Sequence, residues 1–303
     1  MAPPGDERRK PPGQLLAEPG LSPEHLREID KLASTCIAAD GGRLKLERRT
    51  LQTRPPEQVN DFLWVGPGGL VGFLGLYGFR SDQLEICGMV HPAHRRQGVF
   101  SRLFEAAIAE VDNRGAPQAL LVVDRLYAAG TAFAQSVGGE LEHSEHRMVL
   151  RREPAAFVPD PLVKVRQAER GDVAFVVACL GEAFGLPVEQ LKTDDIEALV
   201  EHFPGTLVIE RSDELVGTVR VERSDDAADI YGFAVSPQFQ GRGIGRQVLS
   251  GLSRDLVAEG LTRVGLEVSC TNDSALGLYL SCGFDVTGTE DYFAVSPRHA
   301  SGP

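Results

Sequence analysis

Three side chains in the C-terminal half of this 303-residue chain could move protons during a group transfer. Tyr279 carries a phenol that can donate a proton to a departing anion, whereas Glu267 and Asp229 carry carboxylates that can accept one through water. Tyr279 lies in the helix-like run LYLSCGF, and the carboxylates lie in the strand-like runs LEVS and ADIYGFAV. Any one of them could equally be a packed aromatic or a solvated charge, so the chemistry depends on a binding motif nearby.

A glycine-containing turn at residues 235–249, VSPQFQGRGIGRQVL, supplies such a motif. A strand that enters a helix through a tight turn points backbone N–H groups outward at the helix N-terminus, where anions bind. Gly241, Gly243 and Gly245 permit close approach of the main chain, and Arg242 and Arg246 add positive charge. The spacing matches neither the dinucleotide fingerprint nor the Walker A loop. The turn therefore predicts a diphosphate site of another kind.

Two motifs together resemble the GNAT superfamily of N-acetyltransferases. The first is Gln240-x-x-Gly243-x-Gly245 after a strand, which resembles the superfamily's coenzyme A pyrophosphate loop. The second is LEVSCTNDSALGLYLSCGF, a strand, an Asn, a helix with Ala and Tyr, and then Gly-Phe. The matches cover about residues 228–292. The resemblance implies an α/β (α+β) fold with a mixed, mostly antiparallel sheet flanked by helices, and acetyl-CoA as co-substrate.

The same resemblance assigns expected roles to individual residues. The main chain of the strand before the turn would receive the pantetheine arm, and the turn amides would hold the pyrophosphate. Asn272 would touch the arm near its far end, and Tyr279 would protonate the departing thiolate. The cofactor-binding residues implied in this way are Phe233, Ala234, Val235, Gln240, Gly241, Arg242, Gly243, Ile244, Gly245, Arg246, Asn272 and Tyr279.

The general base stays open between two carboxylates. Glu267, twelve residues before Tyr279, resembles the base of the superfamily members that acetylate ribosomal-protein N-termini, and it is the first choice. Asp229 matches a position where tandem members of the superfamily carry an acidic base. Either would act through water on an ammonium substrate, and transfer would be direct within a ternary complex.

An internal repeat shows that this domain occurs twice. The stretch VHPAHRRQGVFSRLF at residues 90–104 resembles the turn at 235–249, and Val90 precedes Val235 by 145 residues, as Gly98 precedes Gly243. An ungapped offset of this kind indicates two tandem copies of one domain. The expected organisation is a disordered segment at 1–20, domains at 21–150 and 163–298, and a proline-containing linker at 151–162.

The N-terminal copy lacks the residues that would perform the chemistry. At the same offset, Val122 replaces Glu267, Ala134 replaces Tyr279 and Tyr127 replaces Asn272, so we expect this copy to be catalytically degenerate. Phe100 replaces Gly245, and its ring is expected at the helix start where the main chain should be bare. A weak second CoA site stays open as an alternative, at Val90, Arg95, Arg96, Gln97 and Gly98.

Composition narrows the other functional classes. A net charge of −12 disfavours a nucleic-acid surface, and no apolar run approaches the roughly 20 residues that span a bilayer. Five scattered cysteines without a CxxC pair suggest neither a disulfide framework nor a metal site. We expect a cytoplasmic monomer or homodimer whose partner is a small-molecule or peptide amine. The alternative is a non-catalytic acyl-CoA sensor or scaffold.

Overall fold

A computed structural model of the chain describes residues 11–54, 57–78, 83–153, 158–185, 205–224 and 226–296. The contacts divide these residues into two compact units. Unit 1 comprises the described residues of Met1–Ser144 and Thr289–Pro303, and unit 2 those of Glu145–Gly288.

Unit 1 is a mixed, mostly antiparallel sheet with helices packed against it. Its strands lie in the order β1-β2-β3-β4-β5-β12, and only the β4–β5 pair within it is parallel. The elements are β1 Gln14–Glu18, α1 Pro23–Asp40, α2 Arg48–Gln52, β2 Asp61–Gly66, β3 Gly69–Tyr77, β4 Gln83–Val90, α3 Val99–Asn113, β5 Gln118–Asp124, α4 Ala128–Ser136 and the first residues of β6 Glu140–Leu150.

Unit 2 has the same plan. Its strands lie in the order β6-β11-β10-β9-β8-β7, with β10 and β11 as the parallel pair. The elements are β7 Val163–Gln167, α5 Val173–Phe184, β8 Thr206–Arg211, β9 Glu214–Arg223, β10 Ala227–Val235, α6 Ile244–Ala258, β11 Arg263–Ser269, α7 Asp273–Ser281 and the first residues of β12 Phe284–Val295.

The structural repeat follows the sequence offset. Helices α3 and α6, strands β5 and β11, and helices α4 and α7 each begin and end 145 residues apart. Each unit therefore places a glycine turn, a helix, a strand and a second helix in the same succession. The prediction of two tandem copies with mostly antiparallel sheets is confirmed.

The division between the units falls inside strands. In unit 2, Glu145–Val149 of β6 pair with β11, and in unit 1, Glu290–Val295 of β12 pair with β5. Each unit thus takes its last strand from the segment that follows the other copy's second helix. Proline composition pointed to residues 151–162 as the boundary, but strand pairing, which composition does not report, decides it.

The expectation of disorder over residues 1–20 needs correction. Gln14–Glu18 forms β1, which pairs antiparallel with β2, and residues 1–10 lie outside the described part of the chain. The Pro- and Gly-rich flanks concealed the short run QLLAE, whose backbone groups are satisfied by the neighbouring strand.

The two units pack the start of the helix after the turn differently. In one unit Phe lies on the strand and Gly on the helix, and in the other unit the two residue types are exchanged. In unit 2, a Cβ built on Gly245 of α6 would lie 3.2 Å from Leu278 and 3.7 Å from the ring of Phe233 on β10. In unit 1 the large residue is on the helix. A Cβ on Gly88 of β4 would lie 3.0 Å from the ring of Phe100, which stands edge-to-face on Phe133 at 4.7 Å.

Because Gly88 and Phe100 occupy the positions of Phe233 and Gly245, one aromatic ring fills the space between strand and helices in both units. The ring of Phe100 packs inward against β4 and α4. The sequence placed this ring at the helix start, where it would cover the main chain; instead, the missing side chain at Gly88 provides room for it.

Unit 1 also contains a buried ion pair. Arg54 Nε lies 3.0 Å from Asp61 Oδ2, the two side chains are 3% and 0% exposed, and the guanidinium stacks 4.6 Å from the ring centre of Tyr77. Burial raises the pKa of Asp61 to about 7, and Arg54 opposes this rise. The carboxyl therefore holds its proton more tightly in the folded chain than in the unfolded chain.

We expect the Phe–Gly exchange to be non-additive. Gly245→Phe alone should lower the free energy of unfolding by about 1–3 kcal/mol through overpacking. Adding Phe233→Gly should restore at least about 1 kcal/mol, because it vacates the same space. Urea denaturation measures both. The control pair is Phe233→Gly with Gly277→Phe, since Gly277 has open space around its Cβ position. Additive effects in the first pair would contradict the exchange.

We expect Asp61 to make stability fall as pH rises from about 4 to about 7, because its folded pKa is about 7 and exceeds the unfolded value. Below this window both states hold the proton; across it the folded chain keeps a proton that the unfolded chain has released, so stability falls as pH rises. Asp61→Asn should flatten the slope by roughly 2–4 kcal/mol over the window. Urea denaturation at several pH values tests this, and equal slopes in the two proteins would contradict it.

Candidate active site

The parallel strands β10 and β11 separate before either of them ends. Their paired residues run from Ala227 with Arg263 to Ile230 with Leu266, whereas β10 continues to Val235. On its other side β10 stays paired with β9, through Ala234 and Val235. The separation leaves the end of β10 with one unpaired edge toward β11, and an extended ligand could bond there as an additional strand.

A bulge accompanies this separation. The register between β10 and β9 shifts between Tyr231 and Ala234, and Gly232 there has a φ of 53°. That backbone conformation favours glycine. The corresponding ladder of unit 1 pairs β3 with β4, from Gly72 with Val90 to Tyr77 with Glu85, and has no register shift. Of these two ladders, therefore, only the β9–β10 ladder of unit 2 contains a bulge.

The turn after β10 is open to solvent and shaped for an anion. Gly241 and Gly243 have φ values of 72° and 78°, and a Cβ at either position would find open space within 4 Å. Gly243 is the N-cap of α6, whose first intrahelical bond runs from Gln247 N to Gly243 O. The amides of Ile244 to Arg246 therefore precede the hydrogen-bonded part of the helix, where the helix dipole favours negative charge.

Side chains hold this turn in place. Gln240 donates from Nε2 to the carbonyl of Val235 at 2.8 Å, which fastens the turn to the end of β10. The guanidinium of Arg242 lies 5.3 Å from the ring centre of Phe239, while Arg242 itself is exposed. The cation thus stands beside the glycine amides, where it can contribute to binding a diphosphate.

Tyr279 lies in the core of unit 2, on helix α7. Its side chain is 8% exposed, and its ring centre is 6.4 Å from that of Phe284. Burial, with a smaller contribution from Cys282, raises the pKa of the phenol to about 12. The hydroxyl therefore keeps its proton at neutral pH, as a general acid requires.

Asn272 begins the same helix. Its Oδ1 accepts a hydrogen bond from Ala275 N at 3.0 Å, so it is a helix cap. The side-chain NH2 donors are not used by this cap. Tyr127, the equivalent residue in unit 1, begins α4 without a capping bond from its side chain.

The two candidate bases share one face of the sheet. Asp229 is the register partner of Gly265, and Glu267 follows two residues later on β11, so their side chains point to the same side. Asp229 Oδ1 accepts from Arg263 Nη1 at 2.8 Å, and Oδ2 accepts from Nη2. Glu267 lies opposite Arg147 on β6. Each carboxylate therefore has an arginine beside it.

The sequence did not single out Arg263 or Gly265. The hydrogen bonds to Asp229 raise the pKa of the Arg263 guanidinium above its ordinary value. A Cβ at Gly265 would lie 2.5 Å from Arg263 Nη1 and 2.6 Å from Asp229 Oδ1. An isolated glycine within the strand RVGLEVS was the available signal, since it often marks a close approach of other atoms.

Unit 1 keeps the frame of the site. Strands β4 and β5 are paired only from Gln83 to Ile86, and Gly98 has a φ of 83° at the N-cap of α3. Arg96, at the position of Gly241, has a φ of 61°, which is uncommon for a residue with a side chain. Arg95 donates from Nε to the carbonyl of Val90 at 3.0 Å, as Gln240 does in unit 2.

Arg95 is also engaged elsewhere. Its Nη1 and Nη2 donate to the two carboxylate oxygens of Asp40, at 2.8 and 2.6 Å. A diphosphate at this turn would meet a guanidinium already neutralised by a carboxylate. No Tyr is available on α4, because Ala134 stands at the position of Tyr279 and is buried.

The described ranges contain neither a cluster of metal ligands nor a helix that could span a membrane. Within them, no group of three or more His, Cys, Asp or Glu side chains is placed to hold a metal ion. The helices found there are too short or too polar to cross a bilayer. All five cysteines are free thiols, and Cys270 is the one that is not fully buried.

Comparison with known proteins agrees with this geometry. The acetyltransferase (GNAT) family model matches residues 28–138 and again residues 176–284. The chain is 31% identical over 283 residues to the mycothiol acetyltransferase of Actinosynnema mirum, covering 87% of this chain and 93% of that protein. It is 29% identical over 290 residues to the mycothiol acetyltransferase of Streptomyces coelicolor, covering 89% and 91%.

Solved structures share the fold. A GCN5-related N-acetyltransferase from Sphaerobacter thermophilus matches with a TM-score of 0.76 at 20% identity, over 93% of this chain and 96% of that one. A tandem GNAT protein from the clavulanic acid biosynthesis pathway matches with a TM-score of 0.69 at 15% identity, over 96% and 99%. With the family model matched in both copies, the chain belongs to the GNAT acetyltransferase family and is an acyltransferase.

Proposed function

We propose that unit 2 transfers an acetyl group from acetyl-CoA to a primary amine of a small molecule or peptide. The observation that carries this proposal is the convergence of three features in one unit. Strands β10 and β11 separate after Ile230, an open glycine turn follows β10, and Tyr279, a protonated phenol, lies on α7. We also propose that the protein is cytoplasmic and acts as a monomer or homodimer.

The coenzyme would bind along the open edge of β10. The main chain of Phe233, Ala234 and Val235 would pair with the pantetheine amides, since β10 is no longer paired with β11 there. The N–H groups from Gln240 to Arg246 would hold the pyrophosphate, with Arg242 at its side. Asn272 has side-chain donors that could reach the arm. The exposed, side-chain-free surface at Gly241 and Gly243 fits this group.

The proposed reaction is direct transfer in a ternary complex. The neutral amine attacks the thioester carbonyl, a C–N bond forms, the C–S bond breaks, and the thiolate leaves. Tyr279 donates its proton to that thiolate, and the second proton, which the nitrogen loses as the amide forms, returns to the Tyr279 phenolate. Glu267 accepts, through water, the proton that the ammonium loses before attack. Bringing the two substrates together in one cleft supplies a large part of the rate enhancement.

Glu267 is preferred to Asp229 as the base for a geometric reason. The last β10–β11 pair is Ile230 with Leu266, so Glu267 lies beside the opening, whereas Asp229 lies within the paired region. Both oxygens of Asp229 also accept hydrogen bonds from Arg263. A carboxylate that is engaged at both oxygens has fewer acceptor positions left for the water through which a base would act.

The acceptor class follows from weaker indications. The two relatives cited above are named for mycothiol, so mycothiol that lacks its acetyl group is a specific candidate. The net charge of −12 suits a cationic amine. The segment at 182–205 is a candidate for substrate selection, and residues 186–204 of it lie outside the described part of the chain.

We expect acetyl-CoA and an accepted amine to release free thiol together, and neither to do so alone. A panel of primary amines should be tested by following thiol release. It should contain polyamines, amino sugars, peptides with free N-termini and mycothiol that lacks its acetyl group. Mass spectrometry should find one acetyl group added to the accepted amine. Absence of any transfer across the panel, with acetyl-CoA bound, would favour the sensor alternative.

Tyr279→Phe is the matched variant for this assay, because it removes only the hydroxyl. It should lower kcat about 10²-fold or more while CoA binding stays near normal. Ser274→Ala, on the exposed side of the same helix, should leave both unchanged. Full turnover in Tyr279→Phe would remove Tyr279 from the reaction.

We propose CoA binding as a second, non-catalytic activity of unit 1. The supporting observations are the matching turn geometry at Gly98, the limited pairing of β4 with β5, and the inward packing of Phe100, which leaves the helix start uncovered. The ion pair between Arg95 and Asp40 lowers the cationic character of this turn. The site would therefore be weaker than that of unit 2.

We expect calorimetry with CoA to give one tight site and, at most, one weaker site per chain. Asp40→Asn should strengthen the weaker site severalfold, because it frees Arg95 for the diphosphate. Asp30→Asn, which removes an exposed carboxylate from the same helix α1, serves as the control. Two equivalent tight sites would contradict the proposed difference between the units.

A further inference from the structure

The Asp229–Arg263 pair is built into the sheet of unit 2. The guanidinium meets the carboxylate in a two-pronged arrangement, with Nη1 on Oδ1 at 2.8 Å and Nη2 on Oδ2. The two side chains are 26% and 37% exposed. Paired forks of this kind are stronger and more directional than single hydrogen bonds.

Gly265 makes the pair possible. Arg263, at the start of β11, must reach past position 265 to meet Asp229, which is the register partner of that position. A Cβ at 265 would lie 2.5 Å from Arg263 Nη1 and 2.6 Å from Asp229 Oδ1. No side chain could stand there without displacing one of the two groups. The glycine, the arginine and the carboxylate therefore form one structural unit.

Glu267 lies two residues after Gly265 on β11, which is about 6.6 Å along the strand at the usual rise per residue. It lies past the last β10–β11 pair, beside the opening, with Arg147 as its partner across the strand. The face thus carries two carboxylates in different positions. Asp229 is held by a fork within the paired part of the sheet, and Glu267 borders the cleft.

We propose that Arg263 is a positioning residue that occupies Asp229 and so leaves proton transfer to Glu267. The inference rests on the proposed acetyl transfer by unit 2. In it, the charge of Asp229 is balanced by the Arg263 guanidinium. Glu267, through water, takes the proton as the amine becomes neutral. Arg263 touches neither the acceptor nor the thioester; it acts through Asp229.

A functional cycle tests this division of roles. Glu267→Gln in the wild-type background should lower kcat/KM about 100-fold or more. In the Arg263→Gln background, the same change should cost less than about 10-fold, because the released Asp229 replaces the lost base. Adding Asp229→Asn to that double variant should restore the full loss. An equal cost of Glu267→Gln in the two backgrounds would overturn the inference.

Two further variants check that the effect is specific to the Asp229–Arg263 pair. Gly265→Ala should relieve the cost of Glu267→Gln as Arg263→Gln does, because its methyl group separates the fork while both charges remain. Arg223→Gln breaks a comparable fork, with Glu259 at the surface, and should leave the cost unchanged. Relief by Arg223→Gln as well would show a general charge effect and would overturn the specific role.

Failure of the base assignment can be told apart from failure of this inference. If Glu267→Gln leaves wild-type turnover intact, Glu267 is not the base. The effect of Asp229→Asn then tests by itself whether Arg263 masks Asp229. A small loss from Asp229→Asn that becomes large in the Arg263→Gln background would support the masking of Asp229. A large loss in the wild-type background, or a small one in both, would overturn it.

The ion pair itself can be tested without turnover. Arg263→Gln and Asp229→Asn should each lower the urea midpoint, and the double variant should be no less stable than the poorer single variant. Additive shifts would show that the two side chains are not paired in solution, which would also overturn the inference.

Discussion

The end of pairing between β10 and β11 is the constraint on which the candidate site depends. Parallel strands that stay together leave no backbone edge open, whereas these separate after Ile230 and Leu266 while β10 continues to Val235. The backbone groups along that edge need partners, and an extended amide-containing ligand can supply them. A bulge at Gly232 lies at this separation, and the glycine turn then brings the amides of α6 to the end of the same edge.

The two units show that this frame and its chemistry are separable. Unit 1 has the same limited β4–β5 pairing, and the turn keeps its left-handed residues even where Arg96 replaces a glycine. The packing beneath is conserved by the exchange of Gly88 and Phe100 for Phe233 and Gly245. The two units differ in the side chains that are candidates for catalysis. Ala134 stands in place of Tyr279, and Val122 in place of Glu267.

Much of this could be predicted from the sequence because the relevant signals are local. Helix α1 begins where Ser22 and Pro23 predict it, with the Ser22 hydroxyl accepting from His25. The turns could be recognised because glycine spacing and a following amphipathic helix are properties of a short stretch. Strand β1 was missed, because its pairing partner lies more than forty residues away and no local pattern reports it.

The sequence by itself determined the two-copy organisation, the position of the glycine turn, the candidate phenol and the family resemblance, since each follows from residue types at fixed spacing. Only the tertiary structure decided where β10 leaves β11, which strand completes each unit, that Phe100 packs inward and that Arg263 holds Asp229 across Gly265. These features depend on register and on contacts between distant segments. A slip of one residue in a strand turns every side chain to the other face, so a linear pattern cannot specify which groups meet.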